Sequence, residues 1–119
     1  MDSQKEEYNI LIKALLPQDL FEYFEIIKVE IDDDAIDVYL DELNHPPSST
    51  TGKLISKGFH DSVPIQDFPI RERAVYLHVR RRKWISKSSG KVVCNKWDLT
   101  AKGSRYTKGF ATFLKELLG

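Results

Sequence analysis

Apolar residues recur at two different periods along this chain, and the changes of period divide it into elements. Near the start, Tyr8, Leu11, Ile12 and Leu15 return at helical spacing. Ser3 and Glu6 precede them with the spacing of a capping box, and Pro17 ends the helix or opens a short turn through Leu20. From Phe24 the period drops to two. Glu25-Ile26-Ile27-Lys28-Val29-Glu30-Ile31 is β-branched and reads as a strand, and Asp32-Asp33-Asp34 reads as a turn. From Ala35 to Leu43, Ile36, Val38 and Leu40 share one face and Asp37, Tyr39 and Asp41 the other. The two segments together predict an antiparallel hairpin.

Residues 44–53 interrupt the pattern with Pro46-Pro47, serines, threonines and Gly52, and are expected to be a mobile loop. Val63 to Ile70 is extended, because Pro64 and Pro69 turn their predecessors away from the helical region. The strongest strand is Ala74 to Ile85, with Val75, Leu77 and Val79 on one face and Tyr76, His78 and Arg80 on the other. Ser86 to Gly90 is a hairpin loop, and Val92 to Leu99 is the return strand, with Val93 and Trp97 sharing a face. Thr107 is placed to cap a last helix whose stripe is Phe110, Phe113, Leu114 and Leu117. The predicted class is α+β: one small domain over residues 1–119, antiparallel strands in two hairpins, and a helix near each terminus. Residues 1–43 form an acidic helix plus hairpin, and residues 54–119 form basic strands plus the C-terminal helix.

Charge changes this picture more than composition does. The chain of 119 residues is 41% hydrophobic and 30% charged, as expected of a globular domain able to bury one modest core. Its net charge of zero hides two opposed pieces. Residues 1–50 hold 13 Asp and Glu against 3 Lys and Arg, and residues 51–119 hold 5 against 15, which together make the 18 and 18 of the whole. Such asymmetry points to a basic surface for a polyanion and an acidic surface with another task. The run of residues 44–53 lies at the charge boundary and is expected to be the structural boundary too. No apolar run approaches the roughly 20 residues of a membrane span, and the polar, acidic start is not a secretory signal. A single cysteine, Cys94, forms no internal disulfide, which suits a cytoplasmic protein. No membrane and no small-molecule substrate is expected as a partner.

The basic surplus peaks at Arg80-Arg81-Arg82-Lys83, which leads into Trp84. A strand rises about 3.3 Å per residue, so a basic ribbon follows a phosphate backbone without reading sequence, and arginine adds bidentate contacts to guanine. Lys87, Lys91, Lys96 and Arg105 extend the candidate DNA-binding set, with Lys102 and Lys108 close by. Trp84 and Tyr76 are the candidates for stacking on bases or sugars, whereas Trp97 reads as core. The competing account is an edge strand kept soluble by charge, or cations paired with the acidic half of the same chain.

Catalytic alternatives fare poorly. Asp32, Asp33 and Asp34 are adjacent, unlike the carboxylates of a two-metal site, and Asp67 and Asp98 are isolated. His60-Asp61-Ser62 are neighbours that cannot meet as a triad, and no nucleophile elbow is present. Three histidines and one cysteine without a Cys-x-x-Cys pair give no zinc site. His78 reads as a surface or phosphate-facing residue. Lys91 and Lys96 near Cys94 favour its thiolate, but a half-buried structural thiol is the better reading. Neither a catalytic residue, a metal nor a cofactor is expected. A protein-interaction module with complementary halves is the alternative function; an RNA-binding sheet platform is weaker, because the strands lack its aromatic pattern.

Ser56-Lys57-Gly58-Phe59-His60, Ile65-Gln66-Asp67-Phe68-Pro69-Ile70 and the run from Arg73 to Trp84 resemble the small N-region protein of certain bacterial insertion-sequence transposases. The tail fits as well, in Trp97-Asp98-Leu99, the stretch from Lys102 to Lys108 and Phe110 to Glu116. In that group the DNA-binding N-region and the DDE catalytic region are encoded as separate reading frames. Asp67-Phe68-Pro69 followed by a basic strand also resembles the zinc-binding N-terminal region of a wider transposase family. This chain lacks that family's cysteines: the loop carries His45 to Ser49, and Trp84 follows the basic strand. The resemblance implies that packing around Trp84 and Trp97 replaces zinc. It further implies a non-catalytic protein that holds double-stranded transposon ends, alongside a DDE transposase subunit and with a homodimer as a further option. The acidic hairpin would face that partner or the second copy.

Overall fold

The computed structural model describes residues 2–47, 53–95 and 98–119. α1 (Asp2–Leu15) and α2 (Leu20–Tyr23) lead into β1 (Phe24–Ile31) and β2 (Ala35–Glu42). β3 (Leu54–Phe59), β4 (Val63–Ile70), β5 (Arg73–Arg80), β6 (Arg82–Ser86), β7 (Val92–Val93) and α3 (Lys108–Leu118) follow. The larger sheet has the strand order β1-β2-β5-β4 and the smaller β3-β6-β7. The chain is thus an α+β fold rich in antiparallel pairs, with helices near both termini. Half of the mobile loop expected over residues 44–53, residues 48–52, lies outside the described residues.

The acidic hairpin forms as its pattern dictates. Asp32 Oδ1 accepts the backbone N–H groups of Asp34 and Ala35, both at 2.8 Å, which fixes the three-residue turn. The Arg73 Nε donates to the Asp32 carbonyl at 2.7 Å, and the Ala74 N–H donates to the Asp34 carbonyl. This turn is therefore clamped to the start of β5. A second hairpin, not read from the sequence, joins β4 to β5 through Arg71 and Glu72, at φ of 51° and 70°. Two positive φ values are what a primed two-residue turn requires, and neither residue is the glycine or asparagine that adopts them without strain.

Three expectations are corrected. The charge boundary is not the structural boundary, because acidic β2 pairs in parallel with basic β5, Val38 opposite Leu77 and Leu40 opposite Val79. The apolar face of β5 needs an equally apolar neighbour, and β2 supplies it. The strand expected from Ala74 to Ile85 breaks at Arg81: β5 stays in the larger sheet, while β6 pairs with β3 and β7 in the smaller. Among the described residues the return strand is confined to Val92–Val93, opposite Ile85 and Trp84.

The core lies on one face of the larger sheet, where Leu20 and Phe24 cover Val38, Leu40, Ile65, Val75, Leu77 and Val79. One row crosses all four strands through Ile65, Leu77, Val38 and Val29. The first three are at most 4% exposed, but Val29 is 47% exposed. The cover thus ends before the β1 edge. The α1 stripe is likewise uncovered at Tyr8, Leu11 and Leu15. α1 begins one residue ahead of the expected cap at Ser3, whose side chain lies outside the described ones. At the other end, Phe68 packs against Phe110 and Phe113, with ring centroids 5.2 and 5.6 Å apart, and so seats α3 on β4. Thr107 precedes α3 as expected, but its hydroxyl donates to the buried Asp67 carboxylate at 2.8 Å instead of capping the helix. Asp67 is therefore an anchor for α3.

Replacing Arg71-Glu72 with Asn-Gly relieves the positive-φ strain. The double substitution is expected to stabilise the fold by about 1 kcal/mol, read as a higher denaturation midpoint at unchanged m-value. A loss of stability would show that the turn is not strained.

Candidate nucleic-acid interface

The four consecutive basic residues divide into two pairs with different surroundings. On β5, Arg80 makes a two-pronged contact with Asp41: Nε to Oδ1 at 2.6 Å and Nη2 to Oδ2 at 2.7 Å. The hydrogen bond it donates to the Asp41 carboxylate raises the Arg80 pKa against the opposing effect of burial. On β6, Arg82 donates its backbone N–H to Glu42 Oε1 at 3.0 Å and its Nε to the Glu42 carbonyl at 2.9 Å. Its Nη1 reaches Ser56 Oγ at 3.2 Å. Both guanidinium groups lie against the Phe59 ring, 4.4 and 4.7 Å from its centroid. The strand pleat explains the grouping, since residues two apart share a face. Arg80 and Arg82 therefore hold the junction between the sheets, Arg80 as an ion pair with Asp41 and Arg82 through the Glu42 carbonyl and its own backbone N–H.

Glu42 is the centre of that junction. Only 2% exposed, it receives the Arg82 N–H on one oxygen and the Asn95 Nδ2 at 2.7 Å on the other. Asn95 also donates to the His45 carbonyl. One carboxylate at the end of β2 thus ties together β6, the segment after β7 and the start of the proline loop. Nearby, the His60 N–H donates to the Arg81 carbonyl, and His60 Nε2 lies 2.9 Å from Cys94 Sγ. This contact, between residues 34 apart, was not visible in the sequence. His78 is not a free surface residue: its Nε2 lies 2.7 Å from Asp37 Oδ1, and its ring stacks on Tyr39 at 4.6 Å.

Arg81, in the break between the strands, and half-buried Lys83 have no carboxylate partner among the described residues. Arg81 is exposed, and together with Arg105 and Asp61 it lines a cleft of about 330 Å³ that Val63, Ile65, Val79 and Leu99 also line. Lys87 and Lys91 are exposed in and beside the β6–β7 turn. Pairing of β3 with β6 adds two cations the sequence reading did not include: the Lys87 N–H donates to the Lys53 carbonyl, and Lys57 lies on β3. Residues 53–59 and 82–93, which build the smaller sheet, carry Lys53, Lys57, Arg82, Lys83, Lys87 and Lys91 and no Asp or Glu. Like charges this close repel one another, and a bound polyanion relieves that repulsion. Lys96 and Trp97 lie outside the described residues.

The two stacking candidates differ. Tyr76 is half-buried on the open face of the larger sheet, its ring 6.5 Å from that of His78. Trp84 is 4% exposed, so its ring is packed away and is not available to a base; its Nε1 has no hydrogen-bond partner. Among the described residues, no three His, Cys, Asp or Glu side chains converge as metal ligands, and no helix is long and apolar enough to cross a membrane. Compared with protein-family models, curated proteins and solved structures, the chain matches none.

Glu42→Ala strands the Arg82 N–H and the Asn95 amide in the junction and is expected to cost roughly 2–4 kcal/mol. Arg81→Ala, with no partner to lose, stays within about 0.5 kcal/mol of the parent. Urea denaturation of the two variants checks the contrast, and equal losses would contradict this division of the basic run.

Proposed function

We propose that this chain is a non-catalytic DNA-binding module, the N-region partner of a separate DDE transposase, that holds insertion-sequence DNA through its smaller sheet. The observation that carries the reading is the charge of that sheet, six cations with no carboxylate among its described residues. Phosphate contacts of this kind supply affinity and position without sequence information. Arg81, Lys83, Lys87 and Lys91 carry the backbone contacts, joined by Lys53 and Lys57. Arg105 adds a second cation beside Arg81 at the cleft. Arg80 and Arg82 have a supporting part: they hold the strand that presents the others. The resemblance of the run from Gln66 to Trp84 to transposase N-region proteins supports transposon ends as the duplex.

The alternative, an acid–base interaction module, has less to work with. Asp41, Glu42 and Asp37 already engage Arg80, Arg82 and His78 of their own chain. Three of the 13 carboxylates in residues 1–50 are thereby committed within the chain.

Binding of a labelled duplex carrying the element's ends, set against a scrambled duplex across a salt series, tests the proposal. The variant with Arg81, Lys83, Lys87 and Lys91 changed to alanine is expected to lower the log–log salt slope by about 3–4, with preference for the end duplex in the wild type. Retention of neither duplex at low salt would overturn the DNA reading and leave the interaction module in its place.

A further inference from the structure

The two edges of the larger sheet are treated differently. At β4, Pro64 and Pro69 remove backbone donors, and the segment around Tyr106 covers the edge: the Gln66 N–H donates to the Arg105 carbonyl and the Thr107 N–H to the Gln66 carbonyl. At β1, no described segment other than β2 pairs with the strand, and it carries no proline. Its apolar side chains are also bare, with Ile27 51% and Ile31 63% exposed.

The molecule has surface to spare. Its accessible area is 8705 Å², whereas a compact monomer of this mass exposes about 6,600 Å². Its radius of gyration is 16.5 Å, against about 13.5 Å for a compact chain of this length. The excess of about 2,000 Å² exceeds the roughly 800 Å² that each partner hides in a standard interface. A row of unpaired backbone groups beside exposed valine and isoleucine is where a sheet extends.

The identity of the partner is written in the strand. Ile27-Lys28-Val29-Glu30-Ile31 is a palindrome in chemical type with inverted charge. Antiparallel pairing of two copies centred on Val29 sets Lys28 opposite the second copy's Glu30 and Val29 opposite Val29. Faces match as well, because Lys28 and Glu30 align with Tyr39 and Asp37 on the open face, while Val29 and Ile31 align with Val38 and Ile36 on the core face. A register shift of two residues either way opposes Lys28 to itself or Glu30 to itself, and a shift of one mismatches the faces. The β-bulge between Ile26 and Lys28 takes Ile27 out of the alternation, so regular pairing about Val29 runs from Lys28 to Glu30.

We propose that β1 is a homodimer interface, in which two copies of this chain pair edge to edge about a two-fold axis at Val29 and join their larger sheets into one of eight strands. The contact is isologous and closes on itself, so it yields a dimer and not a filament. Lys28 and Glu30, which lie 3.7 Å apart within the chain, exchange that exposed contact for one across the axis and so select the register, and the Val29 pair excludes water beneath them.

The test is sedimentation velocity of the full chain over a concentration series without DNA, so its outcome is independent of the DNA proposal. Wild type is expected to dimerise. Lys28→Glu alone and Glu30→Lys alone each set like charges against each other at two symmetry-related places, and each raises the dimer Kd roughly tenfold or more. The double swap Lys28→Glu/Glu30→Lys restores the wild-type Kd. An equimolar mixture of the two single variants forms a heterodimer, because every facing pair is again opposite in sign. Circular dichroism identifies variants that have lost their fold, and rescue by the double swap or by mixing excludes that cause. A wild type that stays monomeric at about 100 times a micromolar Kd, or a dimer whose Kd ignores all three charge variants, overturns the proposal. The second result would assign association to another surface, such as the exposed α1 stripe.

Discussion

The parallel pairing of β2 with β5 is the constraint on which this structure depends. It sets the apolar faces of the two strands side by side, so that Ile36, Val38 and Leu40 meet Val75, Leu77 and Val79 in the core. It also brings the acidic end of β2 to the basic end of β5. Asp41 reaches Arg80 and Glu42 reaches Arg82, and the chain cannot continue in the same sheet beyond that point. The core supplies the driving force for this pairing, because an ion pair such as Arg80–Asp41, whose arginine side chain is 42% exposed, contributes little net stability. The acidic half of the chain thus serves first as the internal counterpart of two arginines.

From this junction follows the distribution of charge over the surface. Alternation along the strand turns Arg80 and Arg82 toward the acidic end of β2 and leaves Arg81 and Lys83 outside it. The smaller sheet, built wholly from the basic half, keeps its cations without carboxylates between them. The larger sheet carries Glu25, Glu30, Asp37, Asp41, Glu42 and Asp67 against Lys28, Arg73 and Arg80. A chain of zero net charge therefore presents two sheets of opposite character, one basic and the other acidic with β1 at its edge.

Local chemistry made part of this legible in the sequence. Period-two alternation located the core face of β5 through Val75, Leu77 and Val79, and three aspartates located the first turn, because both signals act within a few residues. The break at Arg81 was not legible: nothing local distinguishes it from Arg80 or Arg82, and the break is set by β2 and β3, some 25 to 40 residues away in the chain. The β4–β5 turn escaped notice because Arg71-Glu72 lacks the usual turn residues. Trp84 follows the basic run in the sequence yet packs inward, since its strand position puts it on the face opposite Lys83. Lys53 and Lys57 entered the candidate interface only through the pairing of β3 with β6, which no periodicity announces.

Side-chain Nε–Hε spectra of the arginines address the division of the basic run most directly. In the free protein at low temperature, Arg80 and Arg82 are predicted to show Nε–H signals protected from exchange with water, while that of Arg81 exchanges rapidly. On addition of a duplex, Arg81 and Arg105 shift, and Arg80 and Arg82 stay where they were. Equal exchange rates for Arg80, Arg81 and Arg82 in the free protein, or a duplex-induced shift greatest at Arg80 and Arg82, would contradict the account.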